Sequence, residues 1–214
     1  MTGRHGVDRS PDMDPAFFIP AECRLLASGW SADRAAARLH DYSLMLHDAG
    51  VEYGPATTAE LSVLDGMIRE HITGLEEWSS TRSDAGVAIA RQGGQVIGGV
   101  VSHVMAFGDD MVVHLQHLVV SPEWRRRGVG TVLLGLTPQI VERAAGEGAD
   151  RDAVFYGQCA PGSATWLHRS GYVVLQPGQP IVLCDQMIAV PDDAAQRCWF
   201  ARRAGSRSVF GSAS

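Results

Sequence analysis

The chain has 214 residues, 45% of them hydrophobic, and a formal net charge of -6. This size suits one well-buried domain and argues against two. All eighteen basic residues are arginine, and neither lysine nor asparagine occurs. Because the chain has no lysine for a Schiff base or a Walker-type phosphate loop, pyridoxal enzymes and P-loop nucleotide hydrolases are excluded. The acidic balance argues against a general nucleic-acid binder.

The two ends of the sequence have the composition of tails. Residues 1–20 contain glycine, aspartate and three prolines without periodicity, and residues 191–214 are rich in serine, glycine and arginine. We therefore expect one folded domain over residues 21–190. Neither end carries an apolar run long enough for a membrane span or a secretory signal, so we expect a cytoplasmic protein with no membrane partner.

The first third of the chain predicts a strand and two helices. Residues 22–28 predict the strand, and residues 32–48 predict a helix that Gly50 ends. Thr57 or Thr58 is placed to cap the second helix. The apolar residues of this second helix recur at helical spacing: Leu61, Leu64, Ile68 and Leu75.

The middle of the chain predicts three antiparallel strands. Residues 87–91 and 96–104 flank a Gln-Gly-Gly-Gln turn, whose two glycines suit the positive φ of a hairpin. A loop at residues 108–110 then leads to a third long strand over residues 111–120.

The remainder predicts a crossover and a closing hairpin. A helix is expected over residues 129–145, but Pro138 inside it should kink it or end it early. Residues 153–156 predict a strand parallel to residues 111–120, because a helix joins the two. Three shorter elements follow, namely a helix over residues 162–169 and a hairpin of strands over residues 172–175 and 181–190.

Residues 118–134 are the most informative segment of the chain. An apolar strand runs into a turn with three consecutive arginines and two glycines, and then into an apolar helix. Backbone N–H groups at the start of a helix lack intrahelical partners and attract phosphate. Gly128 and Gly130 allow a phosphate to approach the backbone closely, and arginine suits bidentate contacts with phosphate oxygens. The segment predicts an anion-binding cradle.

The spacing Arg125-x-x-Gly128-x-Gly130, between strand and helix, resembles the acyl-CoA-binding motif of the GNAT superfamily of N-acetyltransferases. The resemblance implies a mixed α/β fold of the α+β type. Its central sheet would have six to seven mostly antiparallel strands with one splayed parallel pair, flanked by about four helices. Acetyl-CoA would be the co-substrate, lying in the opening between the splayed strands. The implied cofactor-binding residues are Leu118, Val119, Val120, Arg125, Arg126, Arg127, Gly128, Val129, Gly130 and Thr131.

The resemblance also implies where a catalytic base would lie. In the family it occupies the strand before the phosphate loop, four or six residues before the last valine, which here gives Gln116 and His114. Glutamine does not titrate, whereas the ordinary pKa of histidine, about 6.5, suits a base near neutrality. His114 is the predicted catalytic residue, and its replacement by glutamine should lower the rate most below neutral pH. The alternative is a histidine hydrogen-bonded in a half-buried strand.

No metal site is predicted. His114 and His117 would lie on opposite faces of their strand unless a bulge shifts the register, and no carboxylate accompanies them. The cysteines are far apart and show no C-x-x-C spacing, which argues against a zinc site or a disulfide framework. They are Cys23, Cys159, Cys184 and Cys198.

Two positions depart from the family pattern. The usual acid is a tyrosine four positions before Gly171, where this chain has Leu167, and the usual CoA-contacting asparagine is replaced by Ala160. Leucine cannot protonate a leaving thiolate. The alternative proton donors are Tyr156, Cys159, Ser163 and solvent.

The function implied by the resemblance is acetyl transfer from acetyl-CoA to the amine of a small molecule, by direct attack in a ternary complex. The alternatives are an acyl-CoA-binding or regulatory module without turnover, favoured by Leu167 and Ala160, and a protein-modifying acetyltransferase with an open acceptor groove. Seven acids against one base between Asp48 and Ser79 favour a cationic acceptor, or else a solvated helix face. Edge strands and apolar hairpins are compatible with a homodimer.

Overall fold

The computed structural model describes residues 17–18, 32–71, 85–107, 110–145, 153–183, 186–188 and 197–204. The helices are α1 (Ala32–Asp48), α2 (Thr58–His71), α3 (Val129–Ala145) and α4 (Ala164–Arg169). The strands are β1 (Phe17–Phe18), β2 (Val51–Pro55), β3 (Ala85–Gln92), β4 (Gln95–Phe107), β5 (Asp110–Val120), β6 (Ala153–Cys159), β7 (Val173–Val174), β8 (Ile181–Leu183), β9 (Gln186–Ile188) and β10 (Cys198–Ala204). None of the helices in these ranges has both the length and the apolar character of a membrane span.

A seven-stranded sheet forms the centre, in the order β2-β3-β4-β5-β6-β10-β7. Its strands pair antiparallel, except that β5 and β6 run parallel. Parallel neighbours need a crossover, and α3 provides it. A second sheet has the order β1-β8-β9. The predicted α+β class, with a mostly antiparallel sheet of six to seven strands, one parallel pair and about four helices, is confirmed.

Helices cover both faces of the seven-stranded sheet. On β3, Ala88 and Ala90 belong to one buried cluster, whereas Ile89 between them belongs to another that includes Leu64 and Ile68 of α2. Because successive side chains on a strand point to opposite faces, α2 covers the face opposite to the larger cluster. That larger cluster draws on α1, α3 and α4 through Leu46, Leu133 and Leu167. Each fully buried aliphatic side chain contributes about 1.5–3 kcal/mol.

The start of α2 is fixed to the sheet by a network around Glu60. The N–H and hydroxyl of Thr57 donate to Glu60 Oε2 at 2.8 and 2.7 Å, and the Glu60 N–H donates to Thr57 Oγ1 at 3.4 Å. This reciprocal pattern is a capping box, as the sequence predicts. Arg91 of β3 donates to both oxygens of the same carboxylate. Hydrogen bonds from Arg91 and Thr57 lower the pKa of Glu60 to about 2.

The predicted tails are wrong at two strands. Phe17–Phe18, within residues 1–20, pairs with β8. Cys198–Ala204, within residues 191–214, forms β10, which lies between β6 and β7 in the main sheet. The physical reason is burial of the first half of this strand, where Cys198, Trp199 and Phe200 are at most 5% exposed. These apolar residues outweigh the arginine-rich composition around them.

The predicted closing hairpin is also wrong. Val173–Val174 pairs with β10, and Ile181–Leu183 pairs with the distant β1 and the adjacent β9, so these two segments do not pair with each other. Helix α3 continues through Pro138 to Ala145, so of the two expected outcomes, a kink or an early end, the early end is wrong. Packing of the buried first half of α3 in the core offsets the hydrogen bond that proline removes. The predicted strand over residues 22–28 lies outside the described residues.

Candidate functional site

The two parallel strands separate partway along their length. Pairing between β5 and β6 stops at Leu115 and Gly157, although β5 continues to Val120. Up to Val120, β5 stays paired with β4 on its other side. Within the described residues, the last five residues of β5 therefore present a backbone edge to the opening, which suits an extended ligand that adds itself as a strand.

A cavity of about 810 Å³ lies along this edge and extends to the first turns of α3 and α4. Its volume is typical of small-molecule sites. Eight of the ten predicted cofactor-binding residues line it: Leu118, Val119, Val120, Arg125, Arg126, Gly128, Gly130 and Thr131. The other two lie elsewhere in the described structure. The Arg127 guanidinium stacks 5.2 Å from the centre of the Trp124 ring, and Val129 is 1% exposed in the core.

The turn before α3 has an unusual backbone. Gly128 has a φ of 95°, and a Cβ there would overlap the ring of Tyr42 from α1. Arg126 has a φ of 61° and is the one non-glycine residue with positive φ in the described ranges. A side chain in that region costs about 1 kcal/mol or more, and such strain is typical of functional sites. In this backbone conformation Arg126 lines the cavity.

The described residues that line the cavity include four arginines and one histidine but no aspartate or glutamate. This local charge contrasts with the net charge of -6 of the whole chain. Two of the arginines, Arg38 of α1 and Arg169 at the end of α4, have no role in the sequence-based prediction. No local sequence signal marks them, because a lone arginine on a helix has the pattern of a solvated face. The cavity suits a ligand with several negative charges.

His114 and His117 lie on the same face of the sheet, not on opposite faces as the sequence predicts. One extra residue, Gln116, interrupts the pairing of β5 with β4. This bulge shifts the alternation, so that His114, His117 and the paired His103 of β4 face the same side. The opposite faces of His114 and His117 were one of the reasons for predicting no metal site, and this reason is therefore removed. Among the described residues, no group of three or more His, Cys, Asp or Glu is arranged to hold a metal ion.

The environment of His114 keeps its imidazole neutral. Burial, with smaller contributions from His103 and His117, lowers the pKa of His114 to about 4. The ring stacks on Tyr156, which pairs with it on β6, at 4.8 Å between ring centres. A neutral imidazole can accept a proton at pH 7. Its low pKa makes it a weaker base than the ordinary value of about 6.5 implies.

Of the three alternative side-chain proton donors, one belongs to the described cavity lining. Ser163 lines it, between the turn at Pro161 and α4. Burial raises the pKa of Tyr156 and, with a contribution from the facing Cys198, that of Cys159 to about 12. Both groups therefore keep their protons at neutral pH. Leu167, at the family's tyrosine position, is 2% exposed and packs in the core.

The acidic segment between Asp48 and Ser79 is partly neutralised within the protein. Glu60 pairs with Arg91, and Asp65 pairs with Arg69 at 2.9 Å. Glu76 and Glu77 lie outside the described residues. Fewer acids are thus available to attract a cationic acceptor than the sequence alone predicts.

The fold and the cavity define an α+β protein with a cationic loop at a splayed parallel pair. Residues 56–154 match the family model described as the acetyltransferase (GNAT) family. This stretch runs from the cap of α2 to the start of β6 and includes the loop and α3. The match covers just under half of the chain, and over this segment the resemblance noted in the sequence is confirmed.

Several solved structures are similar. Ard1 of Thermoplasma volcanium is 11% identical with a TM-score of 0.51, and the match covers 72% of this chain and 97% of Ard1. Naa50 of Arabidopsis thaliana, in complex with the bisubstrate analogue CoA-Ac-MVNAL, is 13% identical with a TM-score of 0.48, covering 71% of this chain and 97% of that one. The aminoglycoside acetyltransferase meta-AAC0020 from an uncultured soil metagenomic sample, in complex with sisomicin, is 17% identical with a TM-score of 0.43, covering 56% and 85%. The likeness to Ard1 supports the fold alone. No curated protein matches the chain.

The adjacent residues Arg126 and Arg127 give a matched test of the cationic cavity. Arg126→Gly removes a lining charge and relieves the positive φ, so we expect about tenfold weaker CoA binding with unchanged or higher thermal stability. Arg127→Gly removes the contact with Trp124 but no charge that lines the cavity, so it should lower stability slightly and leave affinity within twofold. Calorimetric titration and thermal melts measure both. Equal losses of affinity in the two variants would contradict this assignment.

Proposed function

We propose that the protein is an N-acetyltransferase that moves an acetyl group from acetyl-CoA to the amine of a small molecule, by direct attack in a ternary complex. The observation that carries the proposal is the cavity of about 810 Å³, lined by four arginines and by no acid among the described residues, beside the separated strands β5 and β6. A CoA molecule offers several phosphate charges and an extended amide arm, which suit these two features.

Different groups of the protein would bind the diphosphate, the pantetheine arm and the thioester of the donor. The N–H groups from Arg126 to Thr131, at and before the start of α3, would hold the diphosphate, with the Arg125 and Arg126 side chains adding charge. The expected Arg125 N–H donates instead to Pro122 O at 3.3 Å. The backbone of residues 118–120 would pair with the pantetheine arm along the open edge of β5. The thioester would then lie toward the point of separation, near the bulge at Gln116. A strand N–H near Val119 would polarise its carbonyl oxygen.

The transfer forms one C–N bond and breaks one C–S bond. The lone pair of a neutral amine attacks the thioester carbon, the tetrahedral oxyanion collapses, and the sulfur leaves as a thiolate. The amine loses one proton, which His114 would accept through water because it lies outside the described cavity lining, and the thiolate gains one. Ser163, which lines the cavity, or solvent would supply that second proton, because Leu167 cannot.

A non-catalytic acyl-CoA-binding module is the second candidate. Two observations favour it: Leu167 is buried in the core at the position of the usual acid, and Ala160 is exposed at the position of the usual asparagine. Both changes remove groups that act on the donor, and neither blocks the cavity.

Two measurements separate these functions. Calorimetric titration with acetyl-CoA tests the donor site, and release of free CoA thiol is then followed with a monoamine, a polyamine, an aminoglycoside and a peptide with a free N-terminus. Binding with amine-dependent release on a small amine supports the enzyme. Binding without release on any amine supports the module, and release on the peptide alone supports a protein-modifying enzyme. Absence of acetyl-CoA binding would overturn both the enzyme and the module.

A further inference from the structure

A tryptophan of α4 contacts the first turn of α3 at the wall of the cavity. The Trp166 Nε1–H donates to Thr131 Oγ1 at 3.1 Å. The ring covers Gly130, because a Cβ added to that glycine would lie 3.4 Å from Trp166 Cζ2. All three residues line the cavity. This contact joins two helices that the sequence separates by 35 positions.

The Thr131 hydroxyl accepts a hydrogen bond from another helix, whereas two other hydroxyls, on α3 and α1, donate within their own helix. Thr137 of α3 donates to Leu133 O at 3.1 Å, and Ser43 of α1 donates to Leu39 O at 2.9 Å, each to a carbonyl one turn back. Such bonds use the hydroxyl proton within the helix. At Thr131 the hydrogen bond comes from another helix, and the hydroxyl oxygen is the acceptor.

The chemistry of the indole decides the direction of this bond. An indole N–H is only a donor, so the Thr131 hydroxyl accepts from it and keeps its own proton to donate. Thr131 lies in the first turn of α3, where free backbone N–H groups and the helix dipole favour an anion. A hydroxyl proton held at this place would add a side-chain donor to those backbone donors.

We propose that Trp166 is a positioning residue for the donor diphosphate: it fixes Thr131 so that the Thr131 hydroxyl donates to a phosphate oxygen. The inference rests on the proposed function, because the anion is the diphosphate of CoA. It gives α4 a role in donor binding in a chain where the usual asparagine and tyrosine of this region are Ala160 and Leu167.

The test measures CoA affinity by calorimetric titration of the full chain. Thr131→Val removes the hydroxyl at nearly constant shape, and Trp166→Phe removes the indole N–H while keeping a ring over Gly130. We expect each to weaken CoA binding about tenfold, and the double variant to lose no more than about twentyfold, because both substitutions remove one coupled interaction. Thr131→Ser retains the hydroxyl and should restore affinity to within threefold of the wild type.

A matched control lies on the same helix. Thr137→Val removes another buried threonine hydroxyl of α3, which lies outside the described cavity lining, and should leave CoA affinity within twofold. Unchanged affinity in Trp166→Phe, fully multiplicative losses in the double variant, or equal losses in Thr137→Val would each overturn the positioning role. If the wild-type protein binds no CoA, the proposed function fails as well. If it binds CoA and Trp166→Phe binds equally, only this inference fails.

Discussion

Gly128→Ala should weaken CoA binding by at least about thirtyfold. The added methyl group would overlap the ring of Tyr42, and alanine would have to adopt a φ of 95°. Either the turn moves away from its anion-binding shape or Tyr42 is displaced along the cavity wall. Strain of this kind costs about 2 kcal/mol, which corresponds to the expected loss if it falls on the bound state. Calorimetric titration with CoA measures it.

Gly94→Ala is the control for Gly128→Ala, because it tests the free-energy cost of a positive φ at a position outside the anion-binding turn. Gly94 has a φ of 80° in the turn between β3 and β4, and an added Cβ meets nothing within 4 Å. This variant should lose about 1 kcal/mol of unfolding free energy and keep its CoA affinity. If Gly128→Ala retained wild-type affinity, the turn before α3 would not be the diphosphate site.

His114→Gln should lower kcat/KM about a hundredfold at pH 7, the lower end of what a general base contributes, because the pKa of His114 is low. In the wild type, the acid limb assigned to His114 should lie near pH 4 rather than near 6.5, and the variant should lack this limb. This moves the expected pH dependence well below neutrality, in contrast to the prediction from the sequence. An acid limb shared by wild type and variant would remove His114 from the mechanism.

The same substitution should change how stability depends on pH. In the unfolded chain His114 has a pKa near 6.5, and in the folded protein about 4. Between these values the unfolded chain takes up a proton that the folded protein does not, so unfolding free energy is fully present above pH 6.5 and falls as pH decreases toward 4. Each tenfold difference in proton affinity is worth about 1.4 kcal/mol. His114→Gln should therefore show a shallower decline in melts from pH 7 to 4.5.

His47→Gln is the control for this measurement. His47 is exposed in the last turn of α1, away from the strand that carries His114. The decline in stability that burial of His114 causes should remain in this variant. A residual slope in His114→Gln is expected, because burial also lowers the pKa of His117.

The sequence predicts the parts of this fold that depend on local pattern. Helices α1 and α2, the β3–β4 hairpin and the turn before α3 follow from apolar periodicity, a capping residue and paired glycines, all of which act between near neighbours. The positions of β7, β8 and β10 depend instead on partners far along the chain. No periodicity within residues 172–190 shows that Val173–Val174 pairs with β10 rather than with the following segment.

The candidate site shows the same division. Gly128 and Arg126 lie within one short motif and were predicted from it, whereas Arg38 and Arg169 reach the cavity from helices that only the tertiary structure brings there. The bulge at Gln116 is invisible in a run of alternating residues, and it decides that His114 and His117 share a face. The low pKa of His114 follows from burial, which composition and spacing do not reveal.

The placement of β10 between β6 and β7 sets an order of events during synthesis. Strands β2 to β6 can assemble from contiguous chain, but β6 and β7 have no bridge between them until residues 198–204 have left the ribosome. A nascent chain that stops before residue 198 presents two unsatisfied strand edges. This closure therefore follows the synthesis of β2 to β7, and loss of these seven residues would leave the edges of β6 and β7 open to strands of other chains.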